Sequence, residues 1–373
     1  MAQTQDPRIA VDPLRDFVAA AFAAAGCSEK EAAAVADGLV DANLNGHDSH
    51  GVGRVPRYLD WIRTGDLEVG RSASVVTDAG ALSVLDGHHG FGATVGRQAV
   101  LHGIEKAKRN HGVSIVALRS AGHLGRIGQW AELALDHGLV SLHIVNVANS
   151  MLVAPFGGVE KRFSTAPIAF GFPVPGEPPV ILDFATSAVA EGKVMVASNG
   201  GKPLPEGSLI TIDGRLTTDP AALYGPLEPG ALRDHSRGTG AIRAMGEHKG
   251  SGLALMCELL GGVLAGSGCS GPPRNGRFAN GMVSIYMSPD AFGSQDAIAR
   301  ETRAFIDFVR ATKPAAPGQP VLLPGEAERL AQAERRANGI PLTRETWLGL
   351  IAAAKQAGLK ADDPRMLPEP PTG

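Results

Sequence analysis

The sequence is poor in the features that mark secreted, membrane and nucleic-acid-binding proteins. Its three cysteines, Cys27, Cys257 and Cys269, are an odd number without metal-ligand spacing, so we expect reduced thiols in a cytoplasmic protein. No apolar run reaches the length of about eighteen residues that a membrane span needs. Residues 1–13 lack an apolar stretch after a basic start, so we expect no signal peptide. A net charge of −3 favours neither nucleic acid nor an anionic membrane as a partner.

Several signatures of phosphate and metal sites are also missing. There is no P-loop, no H-E-x-x-H sequence and no cysteine pair at zinc spacing. One match to G-x-G-x-x-G, at residues 266–271, follows a predicted helix and precedes Pro272 and Pro273. A dinucleotide fingerprint follows a strand and opens a helix, so we reject this match. His47 and His50 lack further ligands nearby, and we predict no metal site.

What the chain does contain is a regular order of helical and β-branched segments. A length of 373 residues and a hydrophobic content of 44% allow a large core and two domains. Helical spacing dominates the first 65 residues and returns near the C-terminus, while short strands and helices alternate between these parts. This alternation predicts an α/β protein with helices packed against a sheet.

Apolar periodicity and turn residues place the individual elements. Helices are predicted over residues 14–25, 30–45, 52–63, 92–110, 126–137, 186–199, 248–265, 295–312, 326–338 and 343–356. Strands are predicted over residues 74–77, 82–85, 113–118, 140–147, 167–173, 180–183, 208–213 and 282–287. Ser28 and Glu31 have the spacing of a capping box at the start of the second helix. Gly46 is expected to end that helix as its C′ residue.

The polar stretch after Gly46 is the strongest candidate for chemistry. It reads His47-Asp48-Ser49-His50-Gly51 and is followed by Arg54, Arg57 and Tyr58. An imidazole exchanges a proton near neutral pH, and an arginine can hold a carboxylate through two hydrogen bonds. A proton donor beside a carboxylate clamp suits a 2-oxo or 2-hydroxy acid. The alternative from residue types alone is an ordinary solvated face at a helix boundary.

Three further turns are candidate anion or site positions, each with a structural alternative. Thr186 and Ser187 combine hydroxyls with a predicted helix start, which suits a phosphate but equally suits N-capping. Lys249 lies at another predicted helix start, where an anion would relieve its conflict with the helix dipole, although a solvated lysine is also consistent. His123 is flanked by glycines after a strand and is either a site residue or a turn histidine.

Six ordered blocks together resemble the malate/L-lactate dehydrogenase family, type 2, which lacks a Rossmann fold. They are GHDSHGVGRVPRY (46–58), AGHLGRIGQWAE (121–132), APFGG (154–158), LDFATSAVAEGK (182–193), EHKGSGLALMCELLGG (247–262) and LLPGEAE (322–328). The family includes ureidoglycolate, sulfolactate and diketogulonate dehydrogenases and a cyclic-imine reductase. The resemblance covers nearly the whole chain.

The resemblance implies a fold and a cofactor. It implies a helical domain built from both chain ends, residues 1–72 and 313–373, and a mixed-sheet α/β domain of residues 73–312 that binds NAD or NADP. NAD is favoured by likeness, and a homodimer is expected. The implied reaction is hydride transfer to or from a small 2-oxo or 2-hydroxy carboxylic acid.

The resemblance also implies residue roles. His50 matches the proton donor/acceptor and Ser49 its relay partner, and Asp183 is expected to assist the imidazole if it lies close. Arg54 is expected to bind the substrate carboxylate, with His123 and Arg126 lining the same cleft. The expected cofactor contacts are Leu182, Asp183, Phe184, Ala185, Thr186, Ser187, His248, Lys249, Gly325, Glu326 and Ala327.

Two positions depart from the family pattern. Ser164-Thr165-Ala166-Pro167 stands where the family usually has Gly-Thr-Asn-Pro, and Arg54 is not found in every member. Two alternatives therefore remain beside the 2-hydroxy acid dehydrogenase: a reductase of a cyclic imine carboxylate, and a non-catalytic binding protein on the same fold.

Overall fold

A computed structural model describes residues 6–198, 200–226, 233–271 and 277–370 and has the mixed α/β architecture expected from the sequence. The α-helices along the described chain are α1 (Val11–Ala24), α2 (Glu29–Leu44), α3 (Val55–Thr64), α4 (Gly92–Arg109), α5 (Gly128–Leu135), α6 (Glu191–Ser198), α7 (Ala221–Tyr224), α8 (His248–Cys257), α9 (Gln295–Arg310), α10 (Glu326–Asn338) and α11 (Arg344–Gln356). The strands are β1 (Arg8–Ile9), β2 (Ser74–Ala79), β3 (Leu82–Asp86), β4 (Val113–Ala121), β5 (Val140–Ala148), β6 (Pro167–Phe172), β7 (Val180–Ala185), β8 (Leu209–Ile210), β9 (Leu216–Thr217), β10 (Ala241–Ile242), β11 (Ala279–Met287) and β12 (Ile340–Pro341).

The main sheet has seven strands in the order β2-β3-β4-β11-β5-β6-β7. Only β3 and β4 run parallel within this sheet, and the other neighbouring pairs are antiparallel. A Rossmann sheet is mostly parallel, so this topology confirms the predicted non-Rossmann mixed sheet. Within the described residues, no helix has the length and apolarity needed to cross a membrane.

Helices from the two ends of the chain share one hydrophobic core. Phe17 and Phe22 of α1 are fully buried in it, together with Leu350 of α11 and Phe91 before α4. The chain ends are also tied by β1 and β12, which pair antiparallel. These two-residue strands were not predicted, because a run of two residues has no readable periodicity. The domain limits at residues 72/73 and 312/313 stay a prediction.

The predicted capping box forms only in part. The Ser28 side chain accepts a hydrogen bond from the backbone N–H of Glu31 at 3.3 Å, as expected of an N-cap. The Glu31 carboxylate does not bond back to Ser28, because it accepts the backbone N–H of Gly70 at 2.9 Å instead. A contact 39 positions away thus replaces the local one, and Glu31 ties α2 to the segment before the sheet.

Two predicted helices differ from those in the structure by more than three residues at one end. Residues 186–190 are not helical, because Thr186 and Ala188 exchange backbone hydrogen bonds with residues 243–245, and α6 begins only at Glu191. The predicted end of that helix, Asn199, lies outside the described residues. The helix predicted over 248–265 continues past Cys257 as a π-helical segment, Glu258–Leu264. The buried Glu258 carboxylate accepts hydrogen bonds from Ser270 and Asn146 there, which anchors the segment.

The rejected glycine match at residues 266–271 follows this π-helical segment rather than a strand. Ser270 within it donates its backbone N–H to Glu258 at 2.7 Å. Pro272 and Pro273, which also argued against a phosphate site, lie outside the described residues.

Candidate active site

The turn that carries Ser49 and His50 is built on the end of α2. Gly46 adopts a φ of +79°, which ends the helix as predicted. Two short 3₁₀ turns follow, Asp48–His50 and Val52–Arg54. Buried Asn43 holds both turns, because its Oδ1 accepts the Val52 N–H at 2.7 Å and its Nδ2 donates to Asp48 at 2.6 Å. A Cβ on Gly51 would lie 2.2 Å from the Asn43 oxygen, so only glycine fits there.

Helix α10 fixes the same turn from the C-terminal part of the chain. Arg335 contacts both carboxylate oxygens of Asp48, at 2.6 and 2.9 Å. His47 lies 3.3 Å from Glu328. Two-point contacts between arginine and a carboxylate restrict orientation as well as distance. The turn is therefore held on both sides, which preorganises the His50 side chain.

The His50 ring contacts Ser49 and His123. Its Nδ1 lies 3.0 Å from the Ser49 hydroxyl. Its face stacks on His123, with ring centroids 5.5 Å apart and planes inclined by 9°. Burial lowers the pKa of His50 well below its usual value, and His123 and Arg54 lower it further. The imidazole is thus neutral near pH 7, and its Nε2 has no hydrogen-bond partner among the described residues.

His123 is held by Tyr58, which comes from the same polar block. The Tyr58 hydroxyl lies 2.5 Å from His123 Nδ1. Burial raises the pKa of Tyr58, so its hydroxyl keeps the proton and can donate it to an unprotonated Nδ1. Burial, with a contribution from Arg54, lowers the pKa of His123 to about 3. His123 is therefore neutral, and when Tyr58 donates to Nδ1 the ring N–H lies on Nε2, where it is a donor.

Arg54 lies beside His50 and is held by two contacts. Its Nε donates to the backbone oxygen of Ser49 at 2.7 Å, and its Nη2 lies 3.1 Å from Glu191. The Tyr224 hydroxyl donates to the other Glu191 oxygen at 2.6 Å. The structure thus places Ser49, His50, Arg54 and His123 in one cluster and adds Glu191 and Tyr224 to it.

Helix α6 reaches this cluster because its second residue is glycine. A Cβ built on Gly192 would lie 2.3 Å from the Ser49 Cβ. Real Cβ atoms do not approach so closely, so the backbone of α6 can rest on Ser49 only at a glycine. This contact brings Glu191, in the first turn of α6, within reach of Arg54.

A cavity of about 260 Å³ lies next to the cluster, between β7, the end of α2 and α10. It is lined by Asn45, His47, Arg126, Glu132, Pro179, Ile181, Asp183, Gly325, Glu328, Arg329 and Gln332. Asp183 accepts the Gly128 backbone N–H at 2.7 Å. Burial raises the pKa of Asp183 against the opposing effects of His47 and Gly128. Asp183 lines the cavity together with His47, and the described residues show no contact between Asp183 and the His50 ring.

Arg126 lines this cavity but its guanidinium is already engaged. The side chain is 2% exposed and contacts Asp41 at 2.9 Å and Glu132. Burial alone would lower the pKa of Arg126, but the two carboxylates outweigh it and raise that pKa. The resemblance placed Arg126 beside the substrate; in the structure its buried guanidinium pairs with the partly exposed carboxylates of Asp41 and Glu132.

The predicted cofactor block on β7 divides between two faces. Asp183 points to the cavity, whereas Phe184 packs against the hydrophobic cluster of Ile168 and Ala254. Leu182 is exposed and Ala185 ends the strand. Thr186 and Ser187 are buried, and their hydroxyls donate to the backbone oxygens of Thr165 and Val189. Since α6 starts later, these two residues do not form the helix terminus that the sequence predicted.

The remaining cofactor candidates also lie at different places. Gly325 lines the cavity as the residue before α10, while Glu326 pairs with Arg310 at 2.8 Å and Ala327 is exposed. His248 and Lys249 are exposed at the start of α8, outside the cavity lining.

Sequence analysis did not identify five residues whose hydrogen bonds and ion pairs hold the site in place: Asn43, Glu191, Tyr224, Glu328 and Arg335. Glu191 and Glu328 lie inside or beside recognised blocks, but their partners are more than a hundred positions away. Among the described residues, no group of three or more histidines, cysteines or acidic residues is arranged to hold a metal ion.

Comparison with known proteins decides the family. The family model described as malate/L-lactate dehydrogenase matches residues 9–351. The chain belongs to this family. Hydroxycarboxylate dehydrogenase B of Escherichia coli (strain K12) is 41% identical over 357 residues, which cover 94% of this chain and 95% of that protein.

Two solved structures of the malate/L-lactate dehydrogenase family extend the comparison. Malate dehydrogenase from Pyrococcus horikoshii OT3 has a TM-score of 0.83 at 27% identity, covering 96% of this chain and 98% of that one. Delta1-piperideine-2-carboxylate reductase from Pseudomonas syringae pvar. tomato has a TM-score of 0.77 at 30% identity, covering 93% and 99%. The fold is thus shared by relatives named for C–O and for C=N substrates.

Proposed function

We propose that this chain is an oxidoreductase that transfers a hydride between NAD(P)H and a small 2-oxo or 2-hydroxy carboxylic acid. The observation that supports this most is the cluster around His50. A neutral imidazole, held through Nδ1 by Ser49, lies beside a fixed arginine and a second neutral histidine. These groups meet the needs of a substrate that carries one hydroxyl or carbonyl and one carboxylate.

The residues present fit a nicotinamide cofactor. The 260 Å³ cavity beside the cluster has room for part of a nucleotide and polar groups to bind it. The buried Arg126 Nε has no partner among the described residues. Asp183, His47 and Gly325 would hold the cofactor there, with the exposed His248 and Lys249 as further candidates. When bound, the cofactor supplies or accepts the hydride. NAD is our proposal and NADP the alternative.

The proton would be handled by His50. In the oxidation direction its Nε2 accepts the hydroxyl proton, and in the reduction direction the imidazolium returns it to the developing alkoxide. The Ser49 hydroxyl at Nδ1 holds the ring and is the proposed relay partner. The His123 Nε2–H would bind the substrate oxygen, and Arg54 its carboxylate. We assign Asp183 to the cofactor side, because its described contacts lie there.

A substrate panel tests this proposal. Loss of NADH or NADPH absorbance is measured at pH 7 with pyruvate, phenylpyruvate, 2-oxoglutarate and the cyclic imine piperideine-2-carboxylate. Turnover of 2-oxo acids supports the proposal. Turnover of the imine alone would favour the reductase seen among the family structures. Absence of any turnover would leave only a binding role.

Replacing Arg54 by methionine should weaken substrate binding selectively. A charge-assisted hydrogen bond contributes roughly 1.5–3 kcal/mol, so KM for the 2-oxo acid should rise about ten- to one-hundredfold. KM for NADH should change little, because Arg54 contacts Ser49 and Glu191 rather than the cavity. Steady-state kinetics with each substrate varied separately measures both values. An unchanged KM for the oxo acid would place the carboxylate site elsewhere.

The lowered pKa of His50 predicts opposite pH dependences for the two directions. Oxidation needs the neutral imidazole, so its kcat/KM should stay level from pH 8 to well below 6.5, the usual histidine value. Reduction needs the imidazolium, so its kcat/KM should rise as the pH falls over the same range. Arg54→Met should shift the acid limb of the pH profile for oxidation to higher pH, because a cation that lowers the pKa of His50 is lost. An acid limb at pH 6.5 in the kcat/KM profile of wild-type oxidation would contradict the lowered pKa of His50.

A homodimer in the cytoplasm completes the proposal. Its support is a row of exposed apolar side chains on α8 and the π-helical segment, Leu255, Met256, Leu259, Val263 and Leu264. Burial raises the pKa of Cys27 and of Cys257 to about 12, which makes both thiols weak nucleophiles and suits a reducing compartment.

A further inference from the structure

Glu191 occupies a position in the site that the hydride-transfer reaction itself does not require. Its side chain is 16% exposed and lies between Arg54 and Tyr224. One oxygen is 3.1 Å from Arg54 Nη2, and the other accepts the Tyr224 hydroxyl at 2.6 Å. A largely buried carboxylate so close to a candidate carboxylate clamp affects which anions can bind.

Glu191 carries a full negative charge. Burial alone would raise its pKa, but Arg54 and the Tyr224 hydroxyl, followed by His235, outweigh burial and lower it. Glu191 therefore offsets the positive charge of Arg54. A second anion near this pair is attracted less strongly than it would be by Arg54 alone. Two other arginines already have partners: Arg233 donates to the Ser198 hydroxyl at 2.8 Å, and Arg57 reaches the Arg233 backbone oxygen at 3.4 Å.

The contacts of Arg54 leave one edge of its guanidinium group available to a ligand. Nε is used by the Ser49 backbone oxygen and Nη2 by Glu191, whereas Nη1 has no partner in the described part of the chain. The guanidinium is thus held in one orientation, with room for one carboxylate. A second carboxylate on the same ligand would meet Glu191 in a region poorly screened by water.

We propose that Glu191 is a specificity-determining residue that favours 2-oxo and 2-hydroxy monocarboxylates over dicarboxylates, and that Glu191 and Tyr224 together position Arg54. This inference rests on the proposed function, since it concerns the substrate of the same site. Glu191 acts by charge on the side chain of the substrate, and Tyr224 acts only through Glu191.

The central test is Glu191→Gln, which keeps the shape and a hydrogen-bond acceptor but removes the charge. The kcat/KM values for pyruvate and phenylpyruvate are compared with those for oxaloacetate and 2-oxoglutarate. Because like charges a few ångströms apart repel strongly at low effective dielectric, the dicarboxylate-to-monocarboxylate ratio should rise about tenfold. Glu105→Gln, which removes an exposed carboxylate paired with Lys108, is the matched control and should leave the ratio unchanged.

Two further variants separate charge from positioning. Tyr224→Phe keeps the charge of Glu191 and removes one hydrogen bond, so KM should rise for all 2-oxo acids while the ratio stays constant. The double variant Arg54→Met/Glu191→Met removes both charges and is expected to fold, because apolar replacement of a buried pair is often tolerated. It should lose binding of monocarboxylates without gaining dicarboxylates.

The outcomes distinguish this inference from the proposed function. No turnover of any 2-oxo acid by the wild type would overturn both. A wild type that is active but already prefers dicarboxylates would overturn the inference alone. So would an active Glu191→Gln whose ratio is unchanged, since Glu191 would then act only on the stability or placement of Arg54.

Discussion

Replacing His50 by alanine is expected to lower kcat by about 10²- to 10⁴-fold, the usual contribution of a positioned acid–base group. Within the cluster, His50 with Ser49 at its Nδ1 is the proposed acid–base group, and His123, whose Nδ1 lies against Tyr58, is the proposed donor to the substrate oxygen. The loss should appear in both reaction directions, because the same group accepts and returns the proton. Stopped-flow or steady-state absorbance of NADH measures it.

The readouts that separate chemistry from folding are cofactor affinity and thermal stability. The Kd for NADH should stay within about twofold, because His50 is not in the lining of the adjoining cavity. His137→Ala removes an exposed histidine after α5 and is the matched control, which should retain wild-type turnover. Near-normal kcat in His50→Ala would remove the assignment. A large loss of Tm would instead show that His50 supports the turn.

Local features of the site were readable from the sequence, whereas its long-range supports were not. Gly46, Ser49, His50 and Arg54 lie within nine residues, so helix termination and side-chain chemistry could be argued from spacing. Glu191 is 137 positions from Arg54, and Arg335 is 287 positions from Asp48. Periodicity carries no information about such pairs, since they depend on how whole elements pack.

The errors in the predicted helices have the same origin. Residues 186–190 have helix-compatible side chains, yet Thr186 and Ala188 bond to residues 243–245 because β7 ends beside that segment. The π-helical segment after Cys257 depends on buried hydrogen bonds between Glu258 and residues distant in sequence. Tertiary hydrogen bonds overrode local propensity in both places. The alternation of strands and helices predicted an α/β sheet, whereas its mixed, non-Rossmann topology was implied only by the resemblance to the family.

Replacing Arg126 by methionine should destabilise the protein, which sets it apart from the Arg54 variant. Arg126 is 2% exposed, and its removal leaves Asp41 and Glu132 without their cation. Breaking a buried ionic group typically costs about 3–5 kcal/mol, and we expect about 3 kcal/mol because both carboxylates are 37% exposed and keep some water. Urea unfolding at pH 7 measures the free energy of unfolding.

The pH dependence of this loss identifies its cause. Burial raises the pKa of Glu132, and Arg126 opposes that rise. Without Arg126 the folded-state pKa rises further, so the carboxylate binds its proton more tightly when folded than when unfolded. The stability that this proton provides is present at low pH and is lost as the pH rises from about 4.5 through the folded-state pKa. The difference between wild type and Arg126→Met should therefore grow from pH 5 to pH 7.

A double variant completes the argument about Arg126. Arg126→Met/Glu132→Gln should recover part of the lost stability, because one of the two stranded charges is removed. If Arg126 bound the substrate instead, as its place in the sequence suggested, the single variant would keep its free energy of unfolding and show a raised KM for the 2-oxo acid alone. The two roles thus predict opposite results in the same pair of measurements, and the ionic contacts of Arg126 with Asp41 and Glu132 favour the structural one.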